Sequence, residues 1–202
     1  MILIGRYLSP FVRRTAASLN LLGLPFTHRP LSTADQGELI ASFNPLKRVP
    51  ALELDDGEVL VDSAAILDAL DEIAGPERAL VPAGGAERRA VLRAVALGQG
   101  AMEKLVGAYY ERDRRPKELV WPEAVARLSA QSAAGFAALD SLAGEGWLCG
   151  ERLTQADVTA TVALDFADIV MPELVRGRFD RLAALRDRAN ALPAIGSTRW
   201  AG

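Results

Sequence analysis

The sequence predicts a two-part fold, an α/β N-terminal domain followed by an all-α domain. Three observations carry this. Short β-compatible apolar runs occur only before residue 62. Helical patterning alone fills the chain after residue 86. Between them, Gly75 to Gly85 holds two prolines and three glycines, the composition of a linker. The division is therefore 1–75 for the α/β domain, 76–85 for the linker and 86–202 for the helical domain.

The elements follow in order. Residues 2–7 read as a first strand. Ser9-Pro10 reads as a helix start, because serine is a favoured N-cap and proline a favoured first helical residue. Val12, Ala16, Leu19 and Leu22 or Gly23 continue at helical spacing, and Gly23-Leu24-Pro25 ends the helix. Phe26 to Arg29 is a second strand. Thr33 to Phe43 is a short irregular helix, stopped by Asn44-Pro45. Val49 to Leu54 and Val59 to Val61 are strands joined by Asp55-Asp56-Gly57, a hairpin signal. Asp62-Ser63 opens a helix carrying Ala65, Ile66, Ala69, Leu70 and Ile73. The order is β-α-β-α-β-β-α. Beyond the linker, helical patterns run over 86–111, 117–143, 155–169 and 179–191, in a composition rich in Ala, Leu, Arg and Glu.

Composition narrows the function. The 202 residues are 50% apolar and 24% charged with net charge −3, the profile of an ordinary globular protein. Arg13-Arg14, Lys47-Arg48, Arg88-Arg89 and Arg112 to Arg115 read as solvated surface or local ion pairs, and no basic stripe of nucleic-acid-binding type exists. Cys149 is the one cysteine, which excludes an internal disulfide and reads as a small buried apolar residue. The first residues are too short for a signal peptide's apolar core, and no apolar run reaches membrane-span length, so the expected location is the cytoplasm. His28 is the one histidine, which excludes a two-histidine metal site and reads as a structural or surface residue.

Three constellations carry candidate chemistry. Val49-Pro50 opens the third strand; in isolation it is simply a proline at a strand start. Asp62-Ser63 suits a helix N-cap, and a helix N-terminus also offers free N–H groups and a favourable dipole to a carboxylate. Ser9 is likewise sufficient as an N-cap, and Tyr7 lies two residues before it. Thr154-Gln155-Ala156-Asp157 is a capping box with a structural role.

The stretch Asn44-Pro45-Leu46-Lys47-Arg48-Val49-Pro50-Ala51-Leu52, with Asp62-Ser63 beginning 12 residues after Pro50, resembles the glutathione transferase superfamily. Ser9-Pro10-Phe11, the capping box and the element order extend that resemblance over essentially the whole chain. It looks most like the compact bacterial-type members with a serine at the active site. The resemblance implies a thioredoxin-like first domain with a mixed four-stranded sheet. It implies that Pro50 is cis and that the Val49 backbone pairs with the cysteinyl backbone of glutathione. Asp62 then takes the γ-glutamyl amino group and Ser63 its carboxylate. Phe11 is expected beside glutathione. A basic side chain, Arg48 or Lys47, would pair with the glycyl carboxylate; Arg48 holds the family's lysine position.

The implied reaction is attack of glutathione thiolate on a small electrophile, a detoxification chemistry. Family members use Tyr, Ser or Cys near the start of the first helix, and here Ser9 is the favoured thiol-activating group with Tyr7 as its competitor. A thiol of pKa about 8.5 is only about 3% ionised at pH 7. Lowering that pKa by about two units takes about 2.7 kcal/mol. One hydrogen bond to the charged sulfur supplies roughly 1.5–3 kcal/mol, so one hydroxyl is sufficient. The acceptor pocket is expected between the domains, lined by Phe11, Met102, Val106, Tyr109 and Tyr110, although core packing explains that stripe equally well. Glutathione is the one co-substrate implied, with no metal, no nucleic acid and no membrane, in a homodimer. The alternatives are glutathione-dependent disulfide or peroxide reduction, and a non-catalytic binding or regulatory module on the same fold.

Overall fold

Two inner strands organise the first part of the molecule. In the computed structural model, which describes all of residues 1–202, β1 (Ile2–Ile4) pairs in parallel with β2 (Thr27–Arg29). On its other side β1 pairs antiparallel with β3 (Ala51–Glu53), which pairs antiparallel with β4 (Val59–Val61). The mixed four-stranded sheet has the order β2-β1-β3-β4. Helix α1 (Pro10–Leu22) crosses between β1 and β2, α2 (Gly37–Ala41) between β2 and β3, and α3 (Ser63–Ala74) follows β4. This is the expected β-α-β-α-β-β-α order and the thioredoxin-like arrangement.

Local chemistry explains the boundaries. Gly23 adopts φ +67°, a left-handed conformation that costs glycine little, and its N–H reaches the Asn20 carbonyl to cap α1. The helix expected over 33–43 shrinks to α2, because polar side chains capture the preceding backbone. Gln36 Oε1 accepts the Ser32 N–H at 2.9 Å, and the Ser32 hydroxyl donates to Asp35 at 2.8 Å. Ile4, Leu31, Ile40 and Ala51 form one buried cluster, with Val49 and Phe43 packed against it.

α1 is buried on all sides, including Arg13 and Arg14, at 3% and 0% exposure. Of the two readings of this arginine pair, solvated surface and local ion pairing, the first does not hold. α1 packs against the sheet and α3, and also against α9 (Pro193–Gly196) from the C-terminal end. Asn20 donates to the Ala194 carbonyl at 3.0 Å, and Arg13 Nε to the Thr198 hydroxyl at 3.4 Å. The first compact unit is thus Met1–Ala83 together with Ala191–Gly202, rather than the N-terminal residues alone. The linker-like stretch stays with this unit up to Ala83: Asp71 accepts the N–H groups of Leu80 and Val81 at 2.7 and 3.0 Å.

The second unit, Gly84–Asn190, is all helical. It comprises α4 (Gly85–Tyr109), α5 (Pro122–Leu142), α6 (Gln155–Val170), α7 (Pro172–Val175) and α8 (Asp180–Asn190). α4 continues into a wider turn over Tyr110–Arg114. The helix expected from residue 117 begins at Pro122, because a proline disfavours helical backbone at the residue before it and Trp121 is extended. α6 is the centre of this unit, buried at every position from Gln155 to Ala167. Asp157 holds its start. Its carboxylate accepts the Leu148 N–H at 2.7 Å and the N–H and hydroxyl of Thr154 at 2.8 and 2.9 Å. Burial raises this carboxyl above the usual value, and the three donors pull it back in part. No helix is long and apolar enough to cross a membrane.

Candidate active site

The loop from Gly5 to Ser9 joins β1 to α1. Gly5 sits at φ +123°, and a Cβ there would lie 2.5 Å from Cγ2 of Val12 and 2.8 Å from Cβ of Val49. Only glycine lets the loop, α1 and the residue before Pro50 approach this closely. His28 holds the same loop from β2. Its Nε2 lies 2.7 Å from the Gly5 carbonyl, and its ring stacks on Tyr7 at 3.9 Å with a 2° interplanar angle. A carbonyl can only accept, so Nε2 carries a proton. His28 is structural, as expected, and it also fixes Tyr7.

Ser9 is the N-cap of α1 with Pro10 next, and its Oγ accepts the Val12 N–H at 3.5 Å, the far end of hydrogen-bond range. The hydroxyl is half-buried, and no group in the chain accepts its proton. Tyr7 is also half-buried, and burial pushes its phenol above the usual value. A less acidic phenol is a weaker donor to a thiolate. Phe11 is half-buried in the first turn of α1, where its carbonyl accepts the Thr15 hydroxyl.

Val49-Pro50 is the one cis peptide bond in the chain. The loop before it is folded by Asn44, which is 3% exposed. Asn44 Nδ2 donates to the Arg48 carbonyl at 3.0 Å, and its Oδ1 accepts the Leu46 N–H at 3.0 Å. Lys47 adopts φ +53° and its ammonium is committed to Glu38. Arg48 is exposed and makes no ion pair.

At the start of α3, Asp62 is an exposed N-cap at φ +67° whose carboxylate accepts the Ala64 N–H at 2.9 Å. Ser63 is 2% exposed. Its Oγ accepts Nε and Nη2 of Arg14 at 3.1 and 2.7 Å. The sequence pointed to Asp62 and Ser63, but not to the arginine behind them. Gly5 and Arg14 are the supporting residues it missed, with Gly5 at a strand end the available signal; Asn44 it placed only as a helix stop and in the family-like stretch.

Residues 3–78 match the profile of the glutathione S-transferase N-terminal domain, and residues 122–188 match that of the glutathione S-transferase C-terminal domain. The chain belongs to the glutathione S-transferase superfamily. A maleylacetoacetate isomerase from Pseudomonas aeruginosa is 29% identical over 94% of this chain and 91% of its own. An uncharacterised glutathione-transferase-like protein of Escherichia coli, YibF, is 36% identical, but that match spans only about half of either chain. Among solved structures, a glutathione S-transferase from Methylobacterium radiotolerans in complex with glutathione sulfonate superposes with TM-score 0.91 at 29% identity, covering 98% of this chain and 93% of that one. A glutathione transferase family member from Pseudomonas fluorescens with bound glutathione gives TM-score 0.85 at 27% identity, covering 98% of both chains.

Of the candidate acceptor-side residues of this superfamily member, Phe11 lies in α1, Met102, Val106 and Tyr109 lie in the C-terminal part of α4, and Tyr110 lies in the wider turn that follows it. Met102 is fully buried among the core residues of the helical unit, in keeping with the core-packing alternative for this stripe. Val106 and Tyr109 are half-buried and Tyr110 is 52% exposed. The Tyr109 and Tyr110 rings lie 5.8 Å apart, and the Arg114 guanidinium lies 5.5 Å over Tyr109. Cys149 is half-buried rather than buried, and burial raises its thiol above the usual value, which leaves it a poor nucleophile. No group of three or more His, Cys, Asp or Glu side chains is placed to hold a metal.

Proposed function

We propose that the chain is a glutathione transferase that binds glutathione on its first unit and delivers the thiolate to a small electrophile. The observation that carries this reading is the start of α3. There a nearly buried serine hydroxyl, with its proton unclaimed, sits beside an exposed aspartate. One acceptor for an ammonium next to one donor for a carboxylate is the recognition pattern of an α-amino acid head group. Asp62 and Ser63 therefore take the γ-glutamyl end. Val49 pairs through its backbone with the cysteinyl unit, Pro50 and Phe11 lie beside the tripeptide, and Arg48 takes the glycyl carboxylate.

Ser9 donates its unclaimed proton to the sulfur, and the positive end of α1 adds to the same stabilisation. Together these favour the thiolate by roughly 2–4 kcal/mol, enough to ionise most of the thiol at neutral pH. The thiolate forms a carbon–sulfur bond to the electrophile, and the leaving group departs with the bonding pair. Where the acceptor is a conjugated alkene, no group leaves and a proton completes the addition. We assign the functional form to a homodimer in a reducing, cytoplasmic compartment.

The full-length match to an isomerase favours a second reading. Thiolate addition to a conjugated double bond, rotation and elimination would isomerise the substrate and return glutathione unchanged. Calorimetry with glutathione, followed by product analysis with a haloaromatic electrophile and with a cis-unsaturated diketo acid, tests both. Binding with conjugate formation supports the first reading, and isomerised acid with no loss of glutathione supports the second. Absence of binding at millimolar glutathione would sink both and leave a binding or regulatory module.

A further inference from the structure

We propose that Arg14 is a positioning residue that fixes Ser63 as a one-way hydrogen-bond donor, and so makes the start of α3 select a carboxylate. The inference rests on the glutathione reading above. Arg14 is 0% exposed, and two of its N–H groups converge on one oxygen, with Nε 3.1 Å and Nη2 2.7 Å from Ser63 Oγ. A serine hydroxyl has two acceptor lone pairs and one proton. A guanidinium has donors only and does not deprotonate in proteins, so this contact cannot reverse direction. Arg14 therefore uses the whole acceptor capacity of Ser63 and leaves its O–H.

No group in the chain accepts that proton, and the residue is 2% exposed. A buried donor left unpaired is unfavourable, so the site is completed by an acceptor from outside the chain. The first-turn N–H groups of α3 and its positive end favour that acceptor being an anion. An ammonium at the same place would meet no lone pair and a cation behind it. Beside it, the exposed Asp62 carboxylate offers the opposite preference. The two residues thus read the carboxylate and the ammonium of an amino acid in a fixed order along the start of the helix, and Arg14 sets that order.

The test compares two tripeptides on the full chain by calorimetry. One is glutathione; the other is γ-aminobutyryl-cysteinyl-glycine, which lacks only the γ-glutamyl α-carboxylate. The wild type is expected to favour glutathione by about 30-fold or more. Arg14→Met and Ser63→Ala each shrink that ratio to within about threefold, and the double variant shrinks it no further. Should Arg14→Met not fold, Arg14→Gln, which keeps one N–H for Ser63, gives an intermediate ratio. A variant at Arg14 that folds and keeps the wild-type ratio overturns the inference. So does a variant that weakens both tripeptides equally, the signature of a merely structural role. An unchanged ratio in Ser63→Ala overturns it regardless of what happens at Arg14. If the wild type binds both tripeptides equally, the glutathione reading stands and the Arg14 inference fails. If it binds neither at millimolar concentration, both fail.

Discussion

Two helices of the first unit begin with a serine, and the two hydroxyls are held in opposite ways. Ser9 is itself the N-cap of α1, half-buried, tied only by a 3.5 Å bond from Val12. Ser63 lies one residue inside α3, where Asp62 does the capping at 2.9 Å and a buried guanidinium pins the serine oxygen from behind. The difference follows from what each would contact. On the proposed function Ser9 meets a sulfur that must ionise, and its proton is still available to the thiolate. A carboxylate that stays charged throughout is better met by a donor already aimed. On the proposed function, freedom at one helix start and fixation at the other would divide catalysis from binding.

The strongest way to break this comparison is to remove the support of the first serine. Gly5→Ala places a Cβ within 3 Å of both Val12 and Val49, at a backbone φ of +123°. Overpacking and backbone strain of this kind each destabilise by roughly 1–3 kcal/mol. Against a typical total of about 5–15 kcal/mol, a large fall in the urea midpoint is expected. An unchanged midpoint would mean that the loop carrying Ser9 is not held at Gly5.

Next come the serines themselves, with crossed effects. Ser63→Ala is expected to weaken glutathione binding about 10- to 100-fold while kcat at saturation stays within about threefold. Ser9→Ala is expected to leave the dissociation constant within about twofold, to lower kcat about 10- to 100-fold and to raise the bound thiol pKa by about one to two units. Ultraviolet titration of the bound thiolate, with steady-state kinetics, reads both. The same pattern in the two variants would erase the division between catalysis and binding.

The exposed half of this arrangement was legible in the sequence, and the buried half was not. Ser9-Pro10 and Asp62-Ser63 are local signals, because capping is decided within a few residues. The Val49-Pro50 context and the strand order followed from turn residues and alternation. The sequence leaves Arg14 as solvated surface or a local ion pair, since a helix buried on every side has no polar face by which to judge an arginine. Its partner lies 49 positions away, beyond any periodicity. The return of residues 191–202 to α1 was hidden for a similar reason. Its ties include a four-residue helix and the hydrogen bonds from Asn20 to Ala194 and from Arg13 to Thr198, which leave no pattern in composition.

A smaller change sharpens the α3 side. Asn suits the left-handed backbone of Asp62 and caps as well as Asp, so Asp62→Asn is expected to change stability by less than about 0.5 kcal/mol. It removes the charge offered to an ammonium, and glutathione affinity is expected to fall about 3- to 10-fold. Paired denaturation and calorimetry separate the two roles. Equal losses in both would make Asp62 a cap and nothing more.

The smallest expected effect concerns Tyr7, the rival to Ser9. Its phenol is raised above 10.0 by burial, so the folded protein holds this proton more tightly than the unfolded chain does. The linkage sign follows. The stability Tyr7 contributes is fully present below pH 10.0 and is lost as the pH rises through the folded value. Tyr7→Phe should therefore flatten the alkaline fall in stability above that pH. At neutral pH the phenol is un-ionised and stacked on His28. If Ser9 is the donor to sulfur, removing the Tyr7 hydroxyl changes kcat and thiol pKa by less than about twofold and about 0.3 units. A rise in thiol pKa of a full unit in Tyr7→Phe, with Ser9→Ala silent, would move the donor from the helix cap to the loop before it and invert the comparison.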